Sequence, residues 1–282
     1  MRNLAAAVFL SLLFVTPAIA EEAEVHPGFK LIEAQLKVNQ RFTPEFVNAL
    51  RPQAGKGDRA AIAALALTYI FDQGIARDEA ESIRWVEKAW QAGDADVVYS
   101  VGMMYKNGEL YPKDAEKSFL WVNRAMEMGH PDARYFVGFA KEKGLGVPVD
   151  LPGALQLYQK GAEQLHPLAL ERLGRFHREG KGVPKDSQLA FRLWMKGAEA
   201  GHPLLQSTIG LCYLRQPDSF PNAFPEMAKD DIEAYKWLTL ATEGGFKTSA
   251  GMRNIAARRM SVAEIKEAID KAAAFRPTPG KK

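Results

Sequence analysis

The sequence predicts an all-α fold made of antiparallel helix pairs arranged in tandem. Three observations lead to this prediction. A repeat of 36 residues runs through most of the chain, apolar residues recur at helical spacing within each repeat, and glycine- or proline-containing turns fall at matching positions. The 282 residues are 47% hydrophobic and 25% charged, a composition that excludes disordered and collagen-like chains. The formal net charge of +3 is too small to favour nucleic-acid binding, and we expect no nucleic-acid partner.

The first 20 residues have the three parts of a secretory signal peptide. Arg2 supplies a positive start, residues 4–15 are apolar apart from Ser11, and Ala18 and Ala20 place small residues at a cleavage site. The apolar run is shorter than the ~20 residues that are needed to cross about 30 Å of hydrocarbon. We therefore expect a signal peptide over residues 1–20 and a periplasmic or secreted mature chain that does not insert into a membrane. A retained membrane anchor is the alternative.

Five repeat units occupy residues 57–245. Two of the residue series that recur at a step of 36 are Asp78, Asp114, Asp150 and Asp186, and Ala66, Gly102, Gly138, Gly174 and Gly210. The fifth unit carries eight extra residues between Tyr213 and Asp230, because its spacing increases from 36 to 44. Separate series that share one step indicate a single structural unit repeated in tandem.

Each unit is predicted to form two helices that are separated by a turn. In the fourth unit, residues 168–179 have the apolar period of a helix, and the glycines and proline of residues 180–184 interrupt it. Asp186 then stands at the N-cap of the second helix, where its carboxylate accepts a backbone N–H. A glycine inside a helix costs about 1 kcal/mol relative to alanine. The recurrence of Gly174 and its equivalents therefore indicates close packing between helices.

The fourth unit carries a recognisable motif. It consists of Leu173-Gly174, Gly180-x-Gly182-Val183, Asp186, Ala190, Trp194 and residues 196–201, Lys-Gly-Ala-Glu-Ala-Gly. This motif resembles the Sel1-like repeat, a longer relative of the tetratricopeptide repeat, with departures at Ala66, Leu110 and Leu165. The resemblance implies a right-handed α/α superhelical solenoid and a non-catalytic role in contacts with another protein or peptide segment. It implies no cofactor.

The segments on either side of the repeats are expected to close the ends of the stack, since terminal units must cover an exposed apolar face. Residues 21–56 are predicted to form N-terminal capping helices, and residues 246–275 C-terminal ones. Ser261 and Glu264 have the spacing of a capping box for the last helix. Residues 276–282 are expected to form a flexible tail. We expect the mature chain to fold as one continuous domain.

The motifs of common enzymes and metal sites are missing from the sequence. No serine is followed three residues later by lysine, and Cys212 is the only cysteine, at a mostly apolar repeat position that predicts a buried thiol. His130, His166 and His202 recur one repeat apart, which predicts a row of structural side chains, since metal ligands must converge on one ion. We therefore predict no catalytic residues, no cofactor and no metal site. A cell-envelope hydrolase, a penicillin-binding or β-lactamase-like protein, and a peptidoglycan- or carbohydrate-binding module are the alternatives.

The first helix of each unit is expected to line the concave face of the solenoid and to bind the partner. Positions three before, one after and four after the glycine series lie on one helical stripe. They hold Tyr99, Met103 and Lys106 in unit two, Tyr135, Phe139 and Glu142 in unit three, and Glu171, Arg175 and Arg178 in unit four. Aromatic residues and arginine are enriched in binding hot spots. The alternative is that Tyr99, Tyr135 and Phe139 pack between helices.

The extra segment of the fifth unit is a second candidate for partner binding. It contains Phe220 and Phe224, each followed by proline. Proline favours extended backbone and lowers the entropy lost on docking. The alternative is that both phenylalanines fold back onto the stack. Taken together, the sequence predicts an exported adaptor, scaffold or regulator that acts by binding another protein.

Overall fold

The structure is a computed structural model that describes residues 27–39, 41–214 and 229–278. Within these ranges the secondary structure is helical and contains no strand, as the sequence predicted. None of the described helices is long and apolar enough to cross a membrane. The predicted signal peptide over residues 1–20 and the predicted binding residues Phe220 and Phe224 lie outside the described ranges.

Helix packing divides the described residues into two compact units, one ending at Asp150 and the other beginning at Leu151. The first unit contains α1 (Pro27–Asn39), α2 (Pro44–Gly55), α3 (Arg59–Thr68), α4 (Glu79–Gln91), α5 (Ala95–Asn107), α6 (Ala115–Glu127) and α7 (Pro131–Lys143). The second contains α8 (Leu151–Glu163), α9 (Pro167–Glu179), α10 (Ser187–Glu199), α11 (Pro203–Leu214), α12 (Asp231–Glu243), α13 (Ser249–Ala257) and α14 (Val262–Ala274). The division falls inside the third repeat, and the regular repeat spacing did not predict it.

Four of the five predicted helix pairs are confirmed, because α3–α4, α5–α6, α9–α10 and α11–α12 each pack against one another. At the ends, α1 and α2 pack against α3, and α13 and α14 pack against α12. Ser261 caps α14 with the reciprocal bonds of a capping box: its Oγ accepts from the Glu264 backbone, and the Glu264 carboxylate accepts from the Ser261 N–H.

The recurring aspartates start the second helices of the repeats. The Asp186 carboxylate accepts a hydrogen bond of 2.8 Å from the Leu189 N–H at the beginning of α10. Asp78, Asp114 and Asp230 cap α4, α6 and α12 in the same way. Each carboxylate satisfies a backbone donor that lacks a partner within its helix. The predicted N-cap role of Asp186 is therefore confirmed.

The recurring glycines allow close contact between the two helices of a repeat. A Cβ atom on Gly102 would lie 2.9 Å from the backbone nitrogen of Val122. A Cβ on Gly174 would lie 2.5 Å from Cε2 of Trp194, whose ring is buried. Real Cβ atoms essentially never come within 3.0 Å of such neighbours. The prediction that this series serves packing is confirmed at both positions.

Candidate ligand-binding pocket in the second and third repeats

The structure places only part of the predicted stripe at the surface. Tyr99, Met103, Tyr135 and Glu142 are buried, Lys106, Phe139, Glu171 and Arg178 are half-buried, and Arg175 is exposed. The first four side chains therefore lack the exposure that their offsets predicted. The offsets locate a residue on its own helix, whereas burial depends on the side chains that neighbouring helices place over it.

Aromatic stacking buries the two tyrosines. The Tyr99 ring lies 4.1 Å from the ring of His130 and 5.9 Å from that of Phe136, measured between centroids. The Tyr135 ring lies 5.1 Å from Phe136, edge to face, and 6.2 Å from Phe139. Burial raises the pKa of Tyr99, so its hydroxyl remains protonated. For these tyrosines the structure has the packing that we gave as the alternative.

A pocket of about 430 Å³ opens between α5, α6 and α7. Each helix contributes residues at spacings of three and four, which lie on one helical face. Its lining consists of Met103, Lys106, Asn107, Lys113, Ala115, Ser118, Phe119, Val122, Phe136, Val137, Phe139, Ala140 and Leu145. The walls are therefore mostly apolar and aromatic, and they include two lysines. Met103, Lys106 and Phe139 come from the predicted stripe, and the structure brings these three together.

Lys106 combines a charge with an apolar wall. Its ammonium lies 4.7 Å above the ring centroid of Phe136, a cation–π geometry, and its side chain is half-buried. Burial lowers the pKa of Lys106, and the nearby Glu109 carboxylate opposes this shift. Lys113, also in the lining, is exposed. The pocket thus places a partly desolvated cation over an aromatic ring and has a second, solvated lysine in its lining.

Sequence reasoning missed Phe119, Phe136 and Leu145, which supply much of the apolar wall. A signal for two of them was present in the repeat comparison. Phe136 stands where the other repeats have Ala64, Ser100, Arg172 and Thr208, and Leu145 where three of them have Gln73, Glu109 and Lys181. Leu145 is 42% exposed, which is unusual for a large apolar side chain in a polar turn. Positions at which one repeat has a large apolar residue and the other repeats do not therefore indicate the pocket.

The charged part of the predicted stripe lies in the second compact unit. Arg175 forms an ion pair with Glu171, one helical turn away. Arg178 lies 2.8 Å from a Glu179 carboxylate oxygen, and its guanidinium lies 5.7 Å from the Trp194 ring. The charges of this segment are therefore satisfied locally by side chains of α9 and α10.

Two of the three recurring histidines have a structural role. The Nδ1 atoms of His130 and His166 each accept a backbone hydrogen bond of 3.3 Å at the start of a helix, from Ala133 and Ala169. In the part of the chain that the structure describes, no group of three or more histidine, cysteine or acidic side chains is arranged to hold a metal ion. Cys212 is buried, and burial raises the pKa of its thiol to about 12.

Comparisons with known proteins agree with this architecture. The Sel1 repeat family matches residues 59–94, 95–130, 131–164, 167–202 and 225–246, which together are more than half of the chain. A Sel1 repeat protein from Oxalobacter formigenes is similar in structure, with a TM-score of 0.62 and 22% identity over 87% of this chain and 97% of that chain. A protective antigen of uropathogenic Escherichia coli with an SLR fold gives a TM-score of 0.44 and 22% identity over 82% of this chain and 56% of that one. No curated protein matches the chain.

The predicted resemblance is confirmed at the level of fold and family. The matched ranges contain both helices of the pairs α3–α4, α5–α6, α7–α8 and α9–α10, and in the fifth pair they contain α12 but not α11. The structural likeness at 22% identity shows a shared solenoid fold. The chain therefore belongs to the Sel1 repeat family.

Proposed function

We propose that this protein is an exported, non-catalytic interaction module that binds a segment of another protein and acts as an adaptor, scaffold or regulator. The Sel1 repeat fold commonly serves protein–protein contacts. The observation that carries the proposal for this chain is the open apolar pocket between α5, α6 and α7, with lysines in its lining. Such a pocket, built on packed helices, is preformed, which lowers the entropy that binding costs.

The chemistry of the pocket suits a protein segment. Aromatic and methionine side chains are enriched in the cores of protein interfaces, and Met103, Phe136 and Phe139 supply these types here. The lysines add a polar rim that fixes the orientation of a bound segment. A partner that inserts one or two apolar side chains would bury the exposed wall at Leu145.

Export is part of the proposal and rests on the first 20 residues of the sequence. Residues 1–20 have the charge, apolar run and small residues of a cleaved signal peptide. N-terminal sequencing of the chain from a periplasmic extract, or from the culture medium, tests it. The expected first residue is Glu21. A chain that begins at Met1 and remains in the cytoplasmic fraction would show that the protein is not exported.

Photo-crosslinking in the producing cell tests the binding function. A photoreactive amino acid at Asn107, in the pocket lining, should give a discrete protein adduct. The same amino acid at Lys160, an exposed position of α8 outside the pocket, should not give it. Identical adducts from both sites, or none from either, would contradict the proposal. Hydrolysis of a chromogenic β-lactam would favour the hydrolase alternative, and retention on protein-free cell wall would favour the carbohydrate-binding one.

A further inference from the structure

We infer that the pocket between α5, α6 and α7 recognises a partner segment in which a large apolar side chain is followed, within two residues, by a carboxylate. This inference rests on the proposed function and adds to it the chemistry of the bound segment. The apolar side chain would enter the pocket, and the carboxylate would lie between the ammonium groups of Lys106 and Lys113.

The size and the walls of the pocket determine the apolar part of the ligand. A cavity of about 430 Å³ falls within the range of roughly 300–1,000 Å³ in which proteins bind compact ligands. Rings from Phe119, Phe136 and Phe139 line it, so an entering aromatic or long aliphatic side chain meets aromatic faces and edges. Polar groups inside the cavity are few, so a polar side chain there would lose hydrogen bonds to water without replacing them.

The position of Lys106 determines where the carboxylate of the bound segment would lie. Its ammonium lies over Phe136, which also lines the cavity, so a group that contacts this ring lies close to the charge. Because Lys106 is half-buried, its charge is screened less than that of a fully solvated lysine. Glu109 lies nearby and accepts a hydrogen bond of 3.2 Å from Asn107, so one carboxylate already occupies part of this rim. The residues that line the pocket include two lysines, Lys106 and Lys113, and no acidic residue.

The spacing between the two parts follows from chain geometry. In an extended segment, residues two apart project from the same side and are separated by about 7 Å. A carboxylate two residues after the apolar anchor can therefore reach the rim while the anchor remains in the cavity. A carboxylate directly after the anchor reaches the rim where the segment turns instead of staying extended. Opposite charges that meet beside an apolar wall add specificity, because a basic segment would bring like charges together there.

Selection from a random heptapeptide library displayed on phage, with the full mature chain as bait, tests the inference. Enriched peptides should carry Phe, Tyr, Trp, Leu or Met followed within two positions by Asp or Glu. A synthetic peptide from this selection should lose at least tenfold in affinity when its acidic residue becomes the amide, and similarly when its apolar anchor becomes alanine. Enrichment of basic or purely polar sequences would overturn the inference.

Variants of the chain locate the site and provide a charge control. Lys106→Gln combined with Lys113→Gln should weaken binding of the acidic peptide at least tenfold and change binding of its amide form less than twofold. Lys56→Gln combined with Lys160→Gln removes the same charge from two exposed positions outside the pocket and should leave both affinities unchanged. Ala140→Trp, which introduces a large side chain into the cavity, should abolish binding of both peptides while circular dichroism shows an intact helical fold. Equal losses in the two lysine pairs would overturn the inference.

Two further outcomes separate this inference from the proposed function. If the selected peptides do not bind but the photoreactive amino acid at Asn107 still forms its protein adduct, the proposed function is supported and the inference about an acidic segment is wrong. Dodecanoate shares an apolar chain and a carboxylate with the expected segment and serves as a small-molecule probe. If it binds the pocket and no peptide is enriched, the ligand is a free amphiphile and the inference is wrong.

Discussion

Replacing Gly174 by alanine is the sharpest test of how the helices of a repeat pack. Gly174 lies in the middle of α9, and a Cβ there would overlap the indole of Trp194, reaching to 2.5 Å from Cε2. This indole is buried, and its Nε1–H donates a hydrogen bond of 3.1 Å to the Glu171 carbonyl oxygen. The ring cannot move away from the new methyl group without displacing α10 or breaking this bond.

Three contributions determine the expected change in the free energy of unfolding. Overpacking of a tight core costs about 1–3 kcal/mol. Loss of the Trp194 hydrogen bond costs about 0.5–1.5 kcal/mol. The higher helix propensity of alanine stabilises the variant by about 1 kcal/mol. We therefore expect Gly174→Ala to lower the free energy of unfolding of the second compact unit by about 0.5–3.5 kcal/mol.

Urea denaturation, followed by circular dichroism and by tryptophan fluorescence, measures this change. Gly251 is the matched control, because it lies in α13 of the same unit and a Cβ added to it would meet no atom within 4 Å. Gly251→Ala should raise the free energy of unfolding by about 0.5–1 kcal/mol, through helix propensity alone. If Gly174→Ala is as stable as the parent protein or more stable, Gly174 is not required for close packing between the helices and the argument fails.

Three other predictions follow from single residues. Leu165 has a φ of 59°, at a turn position where the other repeats have glycine. Leu165→Gly should therefore raise the free energy of unfolding, measured by urea denaturation, by about 0.5–1 kcal/mol. A destabilised variant would show that leucine packing outweighs the backbone cost. Burial lowers the pKa of His202, so the folded state binds fewer protons than the unfolded state and stability falls as the pH drops below about 6.5. His202→Gln should remove this contribution, whose slope is at most about 1.4 kcal/mol per pH unit, and unchanged pH dependence of thermal unfolding would refute it. Cys212 should react with a thiol reagent such as 5,5′-dithiobis(2-nitrobenzoate) only after denaturation, and rapid labelling of the native protein would contradict its burial.

The features that the sequence predicted correctly depend on interactions between residues close in the chain or in matching repeat positions. Asp186 was recognisable as an N-cap because the donor that it satisfies lies three residues away. Gly174 was recognisable as a packing position because glycine is unfavourable inside a helix unless a neighbour requires the space. His130 and His166 as N-caps were missed, since histidine is not among the residues usually preferred there.

The exposure of the residues at the binding surface could not be predicted from the sequence in this way. Two residues that the helical offsets selected, Lys106 and Phe139, line a pocket, but the offsets also selected Tyr99 and Tyr135, which are buried. Residues on the same stripe differ in exposure because the side chains of adjacent helices differ from repeat to repeat. Phe136 is an aromatic residue in one repeat only, and it is in contact with both tyrosines.

The sequence alone determined that this protein is a series of helix pairs with a fixed period, because helix starts, turns and glycine positions are encoded locally and repeated. Only the tertiary structure decided that α5, α6 and α7 enclose a pocket and that the chain divides into two compact units after Asp150. The pocket arises from side chains that meet across separate helices, where volume and shape, and not periodicity, decide which surfaces are covered.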